Sequence, residues 1–322
     1  MPESEPTGEF GLIDWIRRRE RARPAKSPWT KLGIGDDCAI LDVGPRSTLL
    51  VTTDMLMDGR HFRLEKDGAE SVGHKALGVN LSDIAAMAGV PRAAVIAVAL
   101  PCSGASGLAR RLYDGMAALA ERFGVDLIGG DTNAWDGPLV LTVTLIGEAT
   151  ARGPVCRNGA RPGDSILVTG PLGGSLHAGR HLRVEPRVAE ALALHAAAPL
   201  HALIDLSDGL SSDLSHILVE SGGMGAILDA SAIPIHPDAR EMSRVDGKTP
   251  LEHALHDGED FELCAVVPTA EAARLLAEPT KGVSLFRVGE ITEAPGLLLR
   301  TSAGEIQPIA PRGFDHLQNS VP

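Results

Sequence analysis

Five short stretches of this chain carry acidic residues beside glycine, serine or threonine: Gly33-Ile34-Gly35-Asp36-Asp37, Thr52-Thr53-Asp54, Ser82-Asp83, Gly129-Gly130-Asp131 and Asp205-Leu206-Ser207-Asp208. Any one of them reads equally well as a turn or a capping segment, since Gly, Ser and Asp are common there. If the carboxylates converge, however, their repulsion must be relieved by protonation or by cations. Carboxylate and hydroxyl oxygens, with scattered histidines and no clustered cysteines, select hard ions such as Mg²⁺. Such an ion bridges phosphate oxygens and offsets charge during phosphoryl transfer.

The elements that would position these acids follow from periodicity. Glu9–Arg19 has helical spacing of Phe10, Ile13, Trp15 and Ile16, and is followed by the basic, proline-containing run Arg21–Pro28. Cys38–Val43 and Leu49–Thr53 read as strands joined by the turn Gly44-Pro45-Arg46-Ser47. Ser71–Met87 reads as an amphipathic helix, Ala93–Leu100 as a buried strand and Gly107–Phe123 as a helix. Val125–Ile128 is a strand closed by Gly129-Gly130-Asp131, and Leu139–Gly147 alternates as a strand does. Most of the acids thus fall at element ends. Ala151–Pro162, rich in Arg, Gly and Pro, marks a boundary between domains at 1–150 and 151–322. Beyond it the rhythm restarts: strand Ser165–Thr169, helices Leu172–Leu182 and Pro186–Ala196, strand Ala202–Leu206, helix Leu210–Glu220 and strand Gly225–Leu228. A loop Ser231–Thr249 follows, then a short helix, strand Phe261–Val267, helix Ala270–Ala277 and strands near Val283–Val288 and Gly296–Leu299. The expectation is a two-domain mixed α/β protein. Val79-Asn80-Leu81-Ser82-Asp83 also echoes Ile204-Asp205-Leu206-Ser207-Asp208, as two related halves would.

Composition narrows the function classes. At 322 residues, 44% hydrophobic and 22% charged, the chain reads as a folded soluble protein. A net charge of −12 argues against nucleic acid or anionic membrane as the main partner. Aromatics at 3%, with Tyr113 the single tyrosine, leave no base-stacking platform. Cys38, Cys102, Cys156 and Cys264 lie too far apart in sequence for a C-x-x-C zinc site and fit a reducing cytoplasm. Met1–Thr7 does not resemble a signal peptide, and no apolar run is long enough to span a bilayer.

Standard nucleotide signatures are missing. Gly247-Lys248-Thr249 has Met242 where a P-loop needs its first glycine, and Gly33-x-Gly35-x-x-Cys38 lacks the third glycine of a dinucleotide fingerprint. Gly170–Gly179 reads as a close-packed strand–helix turn.

Seven ordered motifs resemble the thiamine-monophosphate kinase family. They are G-I-G-D-D-C-A at 33–39, T-T-D-M-L at 52–56 with G-R-H-F at 59–62, K-A-L-G-V-N-L-S-D-I-A-A-M at 75–87, I-G-G-D-T at 128–132, R-N-G-A-R-P-G-D at 157–164, I-D-L-S-D-G-L at 204–210 and G-E-D-F-E-L at 258–263. The resemblance covers nearly the whole chain. It implies the aminoimidazole ribonucleotide synthetase-like fold, with an N-terminal α/β domain forming a β-barrel across a homodimer and a C-terminal domain closing the site. It also implies transfer from ATP to thiamine monophosphate with several Mg²⁺. By motif position, Asp37, Thr52, Thr53, Asp54, Asp83, Asp131, Asp205 and Asp208 would hold metals. Gly130, Asp131, Arg157, Ser207 and Tyr113 would contact ATP, and His61, Glu259 and Phe314 the thiamine phosphate. No residue is implied as a general base.

The chain departs from the family pattern at Asp257, where a glycine is usual, at Phe261 and Phe314, which replace tyrosines, and at Arg60, which replaces an apolar residue. Asp257 is expected to add charge beside the substrate pocket. The alternatives are a sister enzyme of the superfamily or a non-catalytic ATP-binding paralogue. The sisters' reactive N-terminal-region or terminal cysteine is missing here, and the acids a paralogue would lose are all present.

Overall fold

In the computed structural model, residues 11, 13, 17–18, 30–44 and 48–313 are described. The predicted helix Glu9–Arg19 falls mostly outside the described residues. The run Arg21–Pro28, residues 45–47 of the predicted turn, and Phe314 lie outside them altogether.

A six-stranded sheet is built from β1 (Thr30–Leu32), β2 (Ala39–Asp42), β3 (Thr48–Met57), β4 (Gly89–Pro101), β5 (Asp126–Trp135) and β6 (Val140–Ala149), in the order β1-β2-β3-β6-β4-β5. Pairing is antiparallel except between β4 and β5. One face is covered by α2 (Ala69–Ala86) and α3 (Ala105–Phe123), after the single turn α1 (Leu64–Asp67). The two long helices cross at glycines. A Cβ on Gly73 would lie 2.1 Å from the Leu112 carbonyl oxygen, and one on Gly115 would lie 2.0 Å from that of Glu70. Only glycine permits that approach.

Helix α2 is not the amphipathic surface helix its spacing suggests. Besides Val72, Leu77, Leu81 and Ile84, it buries Lys75, Asn80 and Ser82. It lies between the first sheet and the second half of the chain, so that each side has a neighbour. An apolar cluster of Ala85, Ala88, Val155, Val188, Leu203 and Leu263 joins the two halves.

The second sheet runs β13-β12-β9-β11-β7-β10-β8. Its strands are β7 (Ser165–Val168), β8 (Ala202–Asp205), β9 (Gly225–Asp229), β10 (Leu263–Val267), β11 (Phe286–Thr292), β12 (Gly296–Arg300) and β13 (Ile306–Pro308). Helices α4 (Val188–Ala197), α5 (Leu210–Glu220), α6 (Pro237–Asp246), α7 (Pro250–His256) and α8 (Thr269–Ala277) complete this half.

Three expectations fail locally. Leu172–Leu182 is not a helix but a series of turns ending in a short 3-10 turn at Arg180–Leu182. There Gly173 and Gly174 let the backbone approach α7 and α6, where a Cβ would stand 2.6 Å from Ala254 N and 2.4 Å from Ala239 N. The loop Ser231–Thr249 contains α6, started by Pro237 and capped by the His236 ring accepting from Asp238 N–H. The Asp83/Asp208 echo is no structural repeat, because Asp83 sits inside a helix and Asp208 in the turn between β8 and α5.

Candidate functional site

Four acids from four separate elements meet where α2 passes between the halves. Asp37 comes from the turn before β2, Asp54 from within β3, Asp83 from α2 and Asp205 from the end of β8. Carboxylate oxygens of Asp37, Asp83 and Asp205 all lie within 4.8 Å of one another. Asp54 adjoins Asp83, and its buried Oδ2 has no hydrogen-bond partner. Two hydroxyls fix the geometry: Thr52 Oγ1 donates to Asp83 Oδ2, and Ser82 Oγ donates to Asp205 Oδ2 at 2.6 Å. The two echoed segments therefore touch, through Ser82 and Asp205, although they are not equivalent elements.

The electrostatics follow from burial of like charges. Burial, then the charge of Asp37, raises Asp205 to about 8 and Asp54 to about 6. Burial, with Asp54 and Asp205 beside it, carries Asp83 well above the ordinary carboxylate range. Asp36 rises to about 7, by burial and then by Asp37. Asp36 also accepts the backbone N–H of Asp37 and of Arg157, each at 3.0 Å, and so ties the turn to the second half. A partnerless buried oxygen amid acids pushed toward protonation is an all-oxygen donor set that suits a hard divalent cation.

The residues expected to act together separate into groups. Thr52 and Asp54 face inward toward α2, whereas Thr53, between them on β3, faces outward and meets Thr144 Oγ1 at 3.0 Å. Strand alternation imposes this split. Asp131 lies within β5, three strands from Asp54, about 14 Å away at ordinary strand spacing. It is exposed on the outer face, accepting from Asn133 Nδ2 at 3.0 Å. Gly130 packs on β4, where a Cβ would lie 1.9 Å from the Ile96 carbonyl oxygen. Tyr113 is exposed on α3. Asp208 groups instead with Asp213 and His216, ligand atoms again within 4.8 Å. Asp213 accepts the backbone N–H groups of Asp208 and Gly209 at the start of α5. His216 is lowered to about 4 by burial and by Arg157.

Beside this region, Glu259 stands in a left-handed conformation, φ 54°. Its backbone N–H bonds to the Ser207 carbonyl at 2.6 Å, and its carboxylate meets Lys75 Nζ. The His61 ring accepts the Met57 N–H at 3.0 Å. Glu259 and Phe261 help line a cavity of about 290 Å³ together with Arg180, Val184, Arg187 and His236. Asp257 is not among the residues lining it. Its Oδ2 accepts Gly174 N–H at 3.0 Å and meets His253 Nδ1 at 2.8 Å. Sequence reasoning missed Lys75, Asp213 and His216. The signals were a lone lysine in an apolar helical run and the i, i+3 spacing of Asp213 and His216 on one helix.

Residues 35–149 match the family model described as AIR synthase related protein, N-terminal domain. The thiamine-monophosphate kinase of Rhodopirellula baltica is 40% identical over 308 residues, 94% of this chain and 96% of that protein. The solved structure of AaThiL complexed with AMPPCP and TMP is 29% identical, with a TM-score of 0.82 over 98% of this chain and 99% of that one. The Stenotrophomonas maltophilia thiamine-monophosphate kinase structure is 36% identical, with a TM-score of 0.70 over 92% of this chain and 97% of that one. With relatives 40% identical over 94% of this chain and 36% identical over 92% of it, the chain belongs to the thiamine-monophosphate kinase family.

Proposed function

We infer that this protein transfers the γ-phosphoryl group of ATP to the phosphate of thiamine monophosphate, giving thiamine diphosphate and ADP. The observation that carries the reading is the meeting of Asp37, Asp54, Asp83 and Asp205 between the two halves, in a chain of this family. The acceptor is itself a phosphate, largely ionised near neutrality because its second pKa is about 6. No base is needed to make it nucleophilic. The difficulty lies in bringing two anions into line, which calls for positioning and positive charge.

Asp37, Asp54, Asp83 and Asp205 would hold Mg²⁺, with Thr52 and Ser82 fixing two of the carboxylates. Thr53, Asp131 and Asp208 keep the metal role their motifs imply, at separate positions. Magnesium, if held by these residues, would supply positive charge that offsets the repulsion between the two phosphates. Arg157, Ser207, Gly130, Asp131 and Tyr113 are proposed to receive ATP, and His61, Glu259 and Phe314 the thiamine phosphate. Residues 1–150 and 151–322 are read as two domains, the second closing over the first. A homodimer joined through the outer face of the first sheet, with a barrel formed across it, is supported by Met55, Met57, Val95, Ile128 and Trp135, all exposed there. The net charge and the lack, among the described helices, of one long and apolar enough to cross a membrane support the reading of a cytoplasmic enzyme.

ADP release that requires both Mg²⁺ and thiamine monophosphate tests the reading. Release that ignores thiamine monophosphate would count against it.

A further inference from the structure

Lys75 is the largest fully buried side chain of the described residues that carries a charge, and its ammonium group uses all three donors. Nζ lies 2.8 Å from Glu259 Oε1, 2.7 Å from Glu259 Oε2 and 2.8 Å from the His61 carbonyl oxygen. The pair is asymmetric. The Lys75 side chain is 1% exposed and that of Glu259 is 26% exposed, so Glu259 reaches the cavity it helps line while its partner is inside the protein. Glu259 also holds a left-handed backbone, a conformation that costs a non-glycine residue and persists only where its surroundings impose it.

We propose that Lys75 is a positioning residue for thiamine monophosphate: from inside α2 it holds Glu259 and the His61 turn in register, so that one buried ammonium aligns both sides of the thiamine-binding region. This rests on the phosphotransfer reading above. A buried ammonium is costly unless all its protons are satisfied. Three good acceptors make this one tolerable, and they are drawn from α2's own half and from the opposite half. Both oxygens of the Glu259 carboxylate are held by Lys75, and the part-exposed acid stands at the cavity's edge, where a cationic heterocycle is the complementary ligand. The phosphate end is left to the acid cluster. Lys75 thus acts on recognition of the organic part of the substrate and not on ATP.

The test compares Lys75→Met, Glu259→Gln and the double variant with the wild type, measuring kcat, KM for thiamine monophosphate and KM for ATP, with thermal unfolding alongside. Breaking a buried, hydrogen-bonded charge pair should raise KM for thiamine monophosphate roughly 10- to 100-fold. KM for ATP should stay within about 2-fold, and the double variant should resemble the worse single variant, because contacting residues are not additive. Should Lys75→Met fail to fold, the double variant, which leaves no buried charge unpaired, carries the same expectation. Unchanged KM for thiamine monophosphate in the folded variants, a parallel rise in both KM values, or additive effects would overturn the proposal. A wild type that makes no thiamine diphosphate would instead overturn the reading on which it rests.

Discussion

Arg157 and Asp37 face each other as a bidentate pair, with Nη2 2.5 Å from Oδ1 and Nε 3.0 Å from Oδ2. Burial works against the Arg157 charge, yet Asp37 and Asp36 more than offset it and hold the guanidinium above its ordinary pKa. A residue expected at ATP thus grips a residue expected at the metal. Arg157 and a bound cation act on the same carboxylate, so Arg157→Met should lower stability on the order of 3 kcal/mol without metal. Added Mg²⁺ should recover more of the unfolding midpoint in the variant than it adds to the wild type. Equal gains in the two proteins would show that the guanidinium and the cation do not share a site.

The buried acids also predict how stability follows pH. Asp54, Asp36 and Asp205 have folded values of about 6, 7 and 8 against an ordinary 3.8. The folded protein therefore keeps protons that the unfolded chain has released. That contribution is complete below about pH 4 and is lost as pH rises through about 6 to about 8. In chelator, the unfolding midpoint should fall across this window. With saturating Mg²⁺, which favours the ionised carboxylates, the fall should flatten. A midpoint that rises with pH in chelator would contradict the placement of these acids.

Asp54→Asn removes a buried charge whose Oδ2 has no donor. The variant should unfold at the same temperature or higher without metal, while turnover falls at least ~10²-fold, a loss of several kcal/mol of transition-state stabilisation. Asp131→Asn, on the exposed outer face, should leave stability within about 0.5 kcal/mol and still lower turnover; unchanged turnover would remove Asp131 from the site. Calorimetry and steady-state rates on both variants separate the two roles. Normal turnover in Asp54→Asn would make the cluster structural.

The outer face of the first sheet yields a prediction about assembly. Ile128 is 60% exposed and Met55 55% exposed on the proposed dimer surface. Sedimentation should give a dimer for the wild type and a monomer for Ile128→Lys, since a charge in an apolar interface is not tolerated. A wild-type monomer would remove the barrel from the account.

Much of this site is legible in the sequence, because its acids sit in short motifs whose glycine and hydroxyl neighbours mark them. Asp37, Asp54, Asp83 and Asp205 do converge. What sequence does not carry is direction. Thr53 and Asp54 are adjacent letters on opposite faces of β3, and Asp131 stays inside a strand that continues to Trp135 rather than at a strand end. Helix α5 emerges where its periodicity places it, Leu210–Glu220. Helix α6 escapes notice because it buries only Ala239 and so has almost no apolar stripe. Its signals were Pro237 and the His236 cap. The false helix at Leu172–Leu182 had apolar spacing, but its glycines serve close backbone approach, a constraint that comes from α6 and α7 far along the chain. Lys75 and Glu259, 184 residues apart, are paired by the fold alone.

The most direct measurement is identification of the products when the purified protein is given thiamine monophosphate, ATP and Mg²⁺. The account predicts thiamine diphosphate and ADP in equal amounts, with formation abolished by chelator. ATP bound but no thiamine diphosphate formed would contradict it.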